Sequence, residues 1–240
     1  MDTESYDSSP TIFSPDGRLY QVEYSREAVK RGSPVLGIVY DRGVIIATAR
    51  MKGSHLLEEI PGLKINQISE TLAIGASGLM ADNRSIVDHA REVEAEHTMT
   101  YSESASVEDM SHEIGSLMQY YTQFSGYRPM GLALIIAGID GPGPGGPCLY
   151  EIDPSGAAIP YWATAIGQGR GDILDRLNTF YERDMSRDDA LKLAIRALNE
   201  AVPILDSWKK VTMECVDMNQ DEGYRELDII GDHDPAEWKD

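Results

Sequence analysis

Apolar runs of strand character come in blocks separated by paired helical segments, and this order restricts the fold more than any single motif. Residues 35–39 and 44–48 are rich in β-branched side chains and flank Asp41-Arg42-Gly43, the pattern of a hairpin. Residues 63–68 and 71–76 read as a second strand pair around Ser69-Glu70. Helical segments follow at 80–97 and 107–124, the second with Ser106 placed to cap its N-terminus and Asp109 at its third position. Residues 132–139 form a nearly continuous apolar run, as in a strand covered on both faces. The Gly/Pro stretch 141–147 predicts a hairpin loop. Asp153-Pro154-Ser155-Gly156 predicts a turn joining strands at 149–152 and 158–165. Helices at 171–182 and 187–201 and strands at 211–216 and 224–229 complete the chain. Strands, two helices, strands, two helices, strands is the order expected of helices outside two antiparallel sheets packed face to face, an α+β fold.

Near the N-terminus, residues 1–15 are polar and carry Pro10 and Pro15, which disfavour helix before them. They predict a tail that is flexible or held only by partners. A helix is expected over Leu19–Arg31 with Gly32 as its C-cap, Leu19, Val22 and Val29 on its apolar side, and Glu27 placed to pair with Lys30 and Arg31. No linker or internal repeat divides the sequence, so a single domain over 1–240 is expected, with a loose acidic tail at 231–240.

Charge narrows the partners. Forty acidic residues against 21 basic ones give a formal charge of −19, the wrong sign for nucleic acid or an anionic membrane surface. Only seven of the basic residues are lysines. Acidic excess with few lysines points to a protein of high-salt cytoplasm, where screening relieves self-repulsion. Two isolated cysteines, Cys148 and Cys215, fit a reducing compartment. The first fifteen residues lack the apolar core of a secretory signal, and no apolar run reaches membrane-spanning length.

The motifs from Phe13 onward are specific. Phe13-Ser14-Pro15-Asp16-Gly17-Arg18-Leu19, Gln21-Val22-Glu23-Tyr24 and Glu27-Ala28 resemble the opening signature of proteasome α-type subunits. Ser77-Gly78-Leu79 with Ala81-Asp82, Tyr121-Thr122-Gln123, Arg128-Pro129 with Gly131, and Ala163-Thr164-Ala165-Ile166-Gly167 follow in the family's order. The resemblance covers roughly residues 6 to 228 and is nearest to archaeal subunits, of haloarchaeal type given the acidic surface. It implies a four-layer αββα sandwich of the Ntn-hydrolase type. It also implies a ring of seven α-type subunits, homomeric or mixed, stacked on β-type subunits, with unfolded polypeptides as substrates and no cofactor or metal.

What the resemblance assigns to residues is a gate and a docking pocket. Tyr6, Asp7, Pro15 and Tyr24 match the cluster that holds the gate open; a phenol can bond a carboxylate, and a proline fixes the turn of the tail. The family's tail reads Tyr-Asp-Arg, whereas here it is Tyr6-Asp7-Ser8, which removes a guanidinium and implies a leakier or differently regulated gate. Lys64, Gly78 and Leu79 match the inter-subunit pocket that receives the C-terminal tail of an activating ATPase. There an ammonium and the backbone N–H groups of a helix start would hold a terminal carboxylate.

No catalytic residue is expected. The proteolytic β-type relatives use an N-terminal threonine activated by its own amine. In this chain that position falls on Ser33, behind 32 further residues, and the supporting aspartate's position falls on Ala49. A processed hydrolase with Ser33 as its N-terminal nucleophile is the alternative. Gly167-Gln168-Gly169-Arg170-Gly171 lacks the spacing of a phosphate loop, and His55, His89, His97, His112 and His233 show no metal-ligand spacing.

Overall fold

The computed structural model describes residues 11–54, 56, 64–140, 146–204, 207 and 210–227. Tyr6, Asp7, Ser8, the loop at 141–145 and the tail at 231–240 lie outside them.

Among the described residues, ten strands form two antiparallel sheets. The first sheet contains β1 (Val35–Tyr40), β2 (Gly43–Met51), β8 (Ala163–Ile166), β9 (Val211–Asn219) and β10 (Gly223–Glu226), in the order β10-β9-β2-β1-β8. The second contains β3 (Ile65–Gln67), β4 (Leu72–Gly78), β5 (Leu132–Ile139), β6 (Pro147–Ile152) and β7 (Ala158–Pro160), in sequence order. Helices α2 (Met80–Tyr101) and α3 (Val107–Gln123) cover the second sheet, and α4 (Arg170–Phe180) and α5 (Arg187–Ala201) cover the first. The short α1 (Tyr20–Lys30) packs against the ends of β4 and β5. This is a four-layer αββα sandwich.

Three apolar layers follow from strand alternation. Leu36, Ile38, Ile45, Ala47 and Ala49 face α4 and α5, while Val35, Val39, Val44 and Ile46 face the other sheet. On β5, Leu132, Leu134 and Ile136 meet α2 and α3, and Ala133, Ile135 and Ala137 fill the space between sheets. The continuous apolar run at 132–139 is therefore a strand with both faces covered, as its sequence suggests.

Local expectations hold in detail at several points. Ser106 Oγ accepts the Asp109 N–H at 3.0 Å and donates to its carboxylate at 2.7 Å, closing the cap of α3. Asp153 Oδ1 accepts the N–H groups of Ser155 and Ala157, and Gly156 sits at φ +87°, forming the expected turn. Two expectations change. The strand foreseen at 158–165 is two strands in different sheets: Tyr161 N–H bonds Leu149 in the second sheet, and Trp162 C=O accepts from Val39 in the first. Gly32 does not close α1 in the left-handed region, and Arg31 is the αR cap. Glycine is required at 32 because a Cβ there would overlap the Gly78 nitrogen and Ser77 Oγ.

One buried polar cluster holds α5 to the first sheet. Asp217, fully buried on β9, accepts from Tyr40 Oη (2.7 Å), Arg187 Nε (2.6 Å) and Asn219 Nδ2 (3.0 Å). Removing one member of a buried pair leaves the others without partners. Asp217→Ala is expected to lower stability by about 3 kcal/mol, read as a shift of the denaturation midpoint in molar salt; an unchanged midpoint would remove this cluster from the stability argument.

Candidate functional site

α1 is amphipathic on a small scale. Val22 and Val29 are buried, and Ser25 is accommodated beside them because its hydroxyl bonds Gln21 C=O at 2.9 Å. Its direction is set by Arg26, whose guanidinium reaches Asp153 of the β6–β7 turn at 2.6 and 3.1 Å. Burial raises the Asp153 carboxyl, and the hydrogen bond from the Ser155 hydroxyl together with the Arg26 contact outweighs it to hold the group below its ordinary range. Glu27 and Lys30 form the expected exposed pair.

Beside the C-terminal half of α1 lies a groove of about 410 Å³ lined by Tyr24, Glu27, Ala28, Arg31, Gly32, Gly78 and Leu79. Three of the anticipated residues, Tyr24, Gly78 and Leu79, therefore share one concavity. Tyr24 and Leu79 are exposed and form apolar walls. Gly78 sits at φ +122°, and a Cβ there would overlap the Gly131 carbonyl oxygen, so both the backbone angle and the space demand glycine.

The rim is fixed by the loop before β5. Leu79 N–H donates to Gly131 C=O at 2.8 Å, so this amide at the start of α2 is already used and is not free for a ligand. Asp82, in the first turn of α2, takes two 2.7 Å bonds from the Arg128 guanidinium and one of 3.0 Å from Gly131 N–H. Burial raises the Asp82 pKa, and the hydrogen bonds from Arg128 and Gly131 outweigh it to leave the carboxyl below its ordinary value.

Lys64 is not part of the groove lining. It lies just before β3, its carbonyl accepting Ala76 N–H at 2.9 Å, and its side chain is enclosed with only 4% of the residue exposed. The β3–β4 ladder brings it beside the strand that ends in Gly78. Burial pushes its ammonium down to about 8, with Glu214 opposing and Arg50 reinforcing the shift. Nothing in the local sequence signals this enclosure, because Glu214 is 150 residues away. Pro15 stands exposed in the turn before α1, where Ser14 Oγ accepts Arg18 N–H at 3.0 Å and Gly17 adopts φ +77°.

The Ser33 position is built into the backbone. Ser33 C=O accepts Ser77 Oγ at 2.8 Å, Gly32 C=O accepts Gln168 N–H at 2.8 Å, and Pro34 C=O accepts Thr48 Oγ1 at 2.6 Å. The Ser33 nitrogen is a peptide nitrogen continuous with Gly32 and α1. Ala49 belongs to the layer under α5 and does not face the space between the sheets. Among the described residues no group of His, Cys, Asp and Glu is arranged to hold a metal, and no helix is long and apolar enough to cross a membrane.

Two sheets enclosed by two helix pairs, with an added N-terminal helix across one end, define the class of the Ntn-type proteasome sandwich. Comparison with known sequences gives the family. Residues 29–216 match the family model of the proteasome subunits, and residues 6–28 match the A-type N-terminal signature of those subunits. The proteasome alpha subunit of Pyrobaculum aerophilum is 45% identical over 202 residues, 84% of this chain and 82% of the relative. That of Methanothermobacter thermautotrophicus is 41% identical over 97% of this chain and 93% of the relative, and that of Halobacterium salinarum 42% over 93% and 87%. The chain belongs to the proteasome subunit family and is of its α type.

Gly78→Ala tests the rim. It should destabilise the chain by about 2 kcal/mol or more through the strained φ and the overlap with Gly131, and close the groove, whereas Gly126→Ala at a similarly positive φ with open surroundings should cost less. Equal losses in the two variants would show that backbone angle alone matters and that the contact with Gly131 does not. Asp82 offers a second check. A carboxyl held below its ordinary 3.8 contributes stability at neutral pH, and that contribution is lost as pH falls below this value. Arg128→Ala should therefore move the acid-unfolding midpoint upward; an unmoved acid limb would show that the pair contributes nothing to folding.

Proposed function

We propose that this chain is a noncatalytic subunit of the outer, seven-membered α ring of a proteasome core particle. In this reading it restricts the admission of unfolded polypeptides and docks the C-terminal tails of an ATPase activator, for ubiquitin-independent degradation in the cytoplasm. Proteolysis then belongs to β-type partners. The observation that carries the reading is the α-type signature continuous with a helix, α1, whose last residues are bonded into the end of the sandwich through Gly32 and Ser33. A nucleophile activated by its own amine has no counterpart in that arrangement.

The gate is assigned to Tyr6, Asp7, Pro15 and Tyr24, and the tail-docking site to the groove at Gly78 and Leu79 with Lys64 behind it. The groove's apolar walls, Leu79, Ala28 and Tyr24, suit the side chains of an extended tail. The acidic, lysine-poor composition supports assembly in the high-salt cytoplasm of a haloarchaeal cell.

The deciding measurement is the native mass of the purified chain in molar salt, alone and with a β-type partner. A seven-membered ring that gains peptidase activity only with the β-type partner is the expected result. A monomer that hydrolyses peptides by itself would overturn the reading and direct attention to Ser33. Lys64→Met, which keeps the volume and removes the charge, is expected to weaken binding of an activator tail about tenfold or more while leaving the ring intact; full-strength docking would remove Lys64 from the site.

A further inference from the structure

Both sheets end on the same side of the sandwich. β7 and β8 are edge strands of the second and first sheets, and the chain passes from one to the other through Tyr161-Trp162. The far side carries the other two edges, β3 and β10, joined where Tyr224 N–H bonds Glu70 C=O at 2.9 Å. One row of residues crosses the first sheet between them. Trp162 C=O accepts from Val39 N–H, and Val39, Val44, Met218 and Tyr224 are successive register partners. Trp162 and the Glu70–Tyr224 contact therefore stand at opposite ends of the row, four strand spacings or about 19 Å apart.

The two edges differ in chemistry. Residues 154–171 contain no Asp or Glu in a chain that has 40 of them, and Ile159, Pro160 and Trp162 are exposed there. The Arg183 guanidinium lies over the Trp162 ring, 3.9 Å from its centre, and has no carboxylate partner among the described residues. A guanidinium stacked on an indole keeps its N–H donors in its own plane, turned to the rim of the ring. On the far edge Glu70 and Glu226 are exposed, and neither has a cation among the described residues; Glu226 accepts the Tyr224 hydroxyl at 3.3 Å.

Like charge opposes self-association of a chain of net charge −19, so copies meet most readily where carboxylates are absent or are matched by a cation. We propose that the Trp162–Arg183 edge of one copy docks on the Glu70–Tyr224–Glu226 edge of a second copy, so that the chain associates head to tail. This contact lies within the α ring and rests on the reading of the chain as a ring subunit. The two edges are different surfaces, so the contact is heterologous, and repeated with a fixed rotation it closes a ring. Trp162 supplies the apolar anchor and Arg183 the ion pair, residue types in which binding energy concentrates. Pro160 removes a donor from the β7 edge, which favours contact through side chains over a continued ladder.

The experiment follows the native mass of the full chain against concentration in molar potassium chloride, where an ion pair enclosed at a contact is screened less than an exposed one. The parent is expected to form the ring. Trp162→Ala and Arg183→Glu should each raise the concentration at which it dissociates by about tenfold or more, with far-UV circular dichroism unchanged. Glu70→Arg together with Glu226→Arg should weaken the ring likewise. Adding Arg183→Glu to that pair of substitutions should restore assembly, because each contact again joins a cation to a carboxylate; such rescue separates a direct pairing from a variant that merely misfolds. Rings of parental stability in every variant would overturn this contact and leave the ring reading standing. Weakening by Trp162→Ala and Arg183→Glu without any rescue would overturn the acidic edge of a second copy as the occupant. A parent that stays monomeric at every concentration would overturn the ring reading, and the contact with it.

Discussion

The arrangement of this molecule depends on the place where three chain segments meet without room for side chains. Gly32 at the end of α1, Ser77-Gly78 at the end of β4 and Gly167 after β8 approach so closely that a Cβ on Gly32 would overlap Gly78, and one on Gly167 would lie 2.5 Å from Ser77 Oγ. Ser77 Oγ donates to Ser33 C=O, and Gln168 N–H donates to Gly32 C=O. β4 belongs to one sheet and β8 to the other, so this junction fixes the separation of the sheets at that end and the line along which α1 leaves. The groove beside α1 is a consequence. Two of its walls, Gly32 and Gly78, are the junction itself.

Packing and electrostatics divide the remaining work. Burying Val22 and Val29 contributes about 1.5–3 kcal/mol each, whereas exposed ion pairs such as Arg26–Asp153 are worth about 1 kcal/mol or less. The pairs therefore orient α1 more than they hold it. The same holds for Arg128 on Asp82, which is half exposed yet aligns the loop before β5 so that Gly131 C=O meets Leu79 N–H. Deeper polar groups behave differently. Thr164 on β8 donates to Glu151 on β6, and Arg170 closes the same carboxylate while bonding Ala165 C=O. There the two sheets are joined by groups that cannot lose their partners cheaply.

The layers were legible because each helix and most strands carry their own periodicity, and the cap at Ser106 is a purely local device. The division of residues 158–166 between two sheets was not legible. Both halves are apolar and short, and the change of sheet at Tyr161-Trp162 is enforced by backbone partners, Leu149 and Val39, that lie elsewhere in the sequence. The site divided along the same line. Tyr24, Gly78 and Leu79 could be named from motifs and do share a groove. The depressed ammonium of Lys64 could not be named, because it follows from burial in the fold and from the charges of Glu214 and Arg50 on strands of the other sheet. Gly32 shows a third case: the residue type was informative, but the reason for it is a tertiary contact and not a left-handed cap.

The Ser33 alternative meets the same junction. An N-terminal nucleophile needs the Gly32–Ser33 peptide bond to be cut, which would release α1 and withdraw Gly32 from Gln168. The Ser33 carbonyl would stay bonded to Ser77, and Pro34 to Thr48, leaving the new amine in a backbone shaped for a continuing chain. The base would have to be Lys64, whose ammonium is depressed enough to be partly neutral near pH 8. The aspartate expected to support it is Ala49, on the opposite face of β2. Lys64 therefore has neither an aspartate at Ala49 to orient it nor a free terminus at Ser33 to activate.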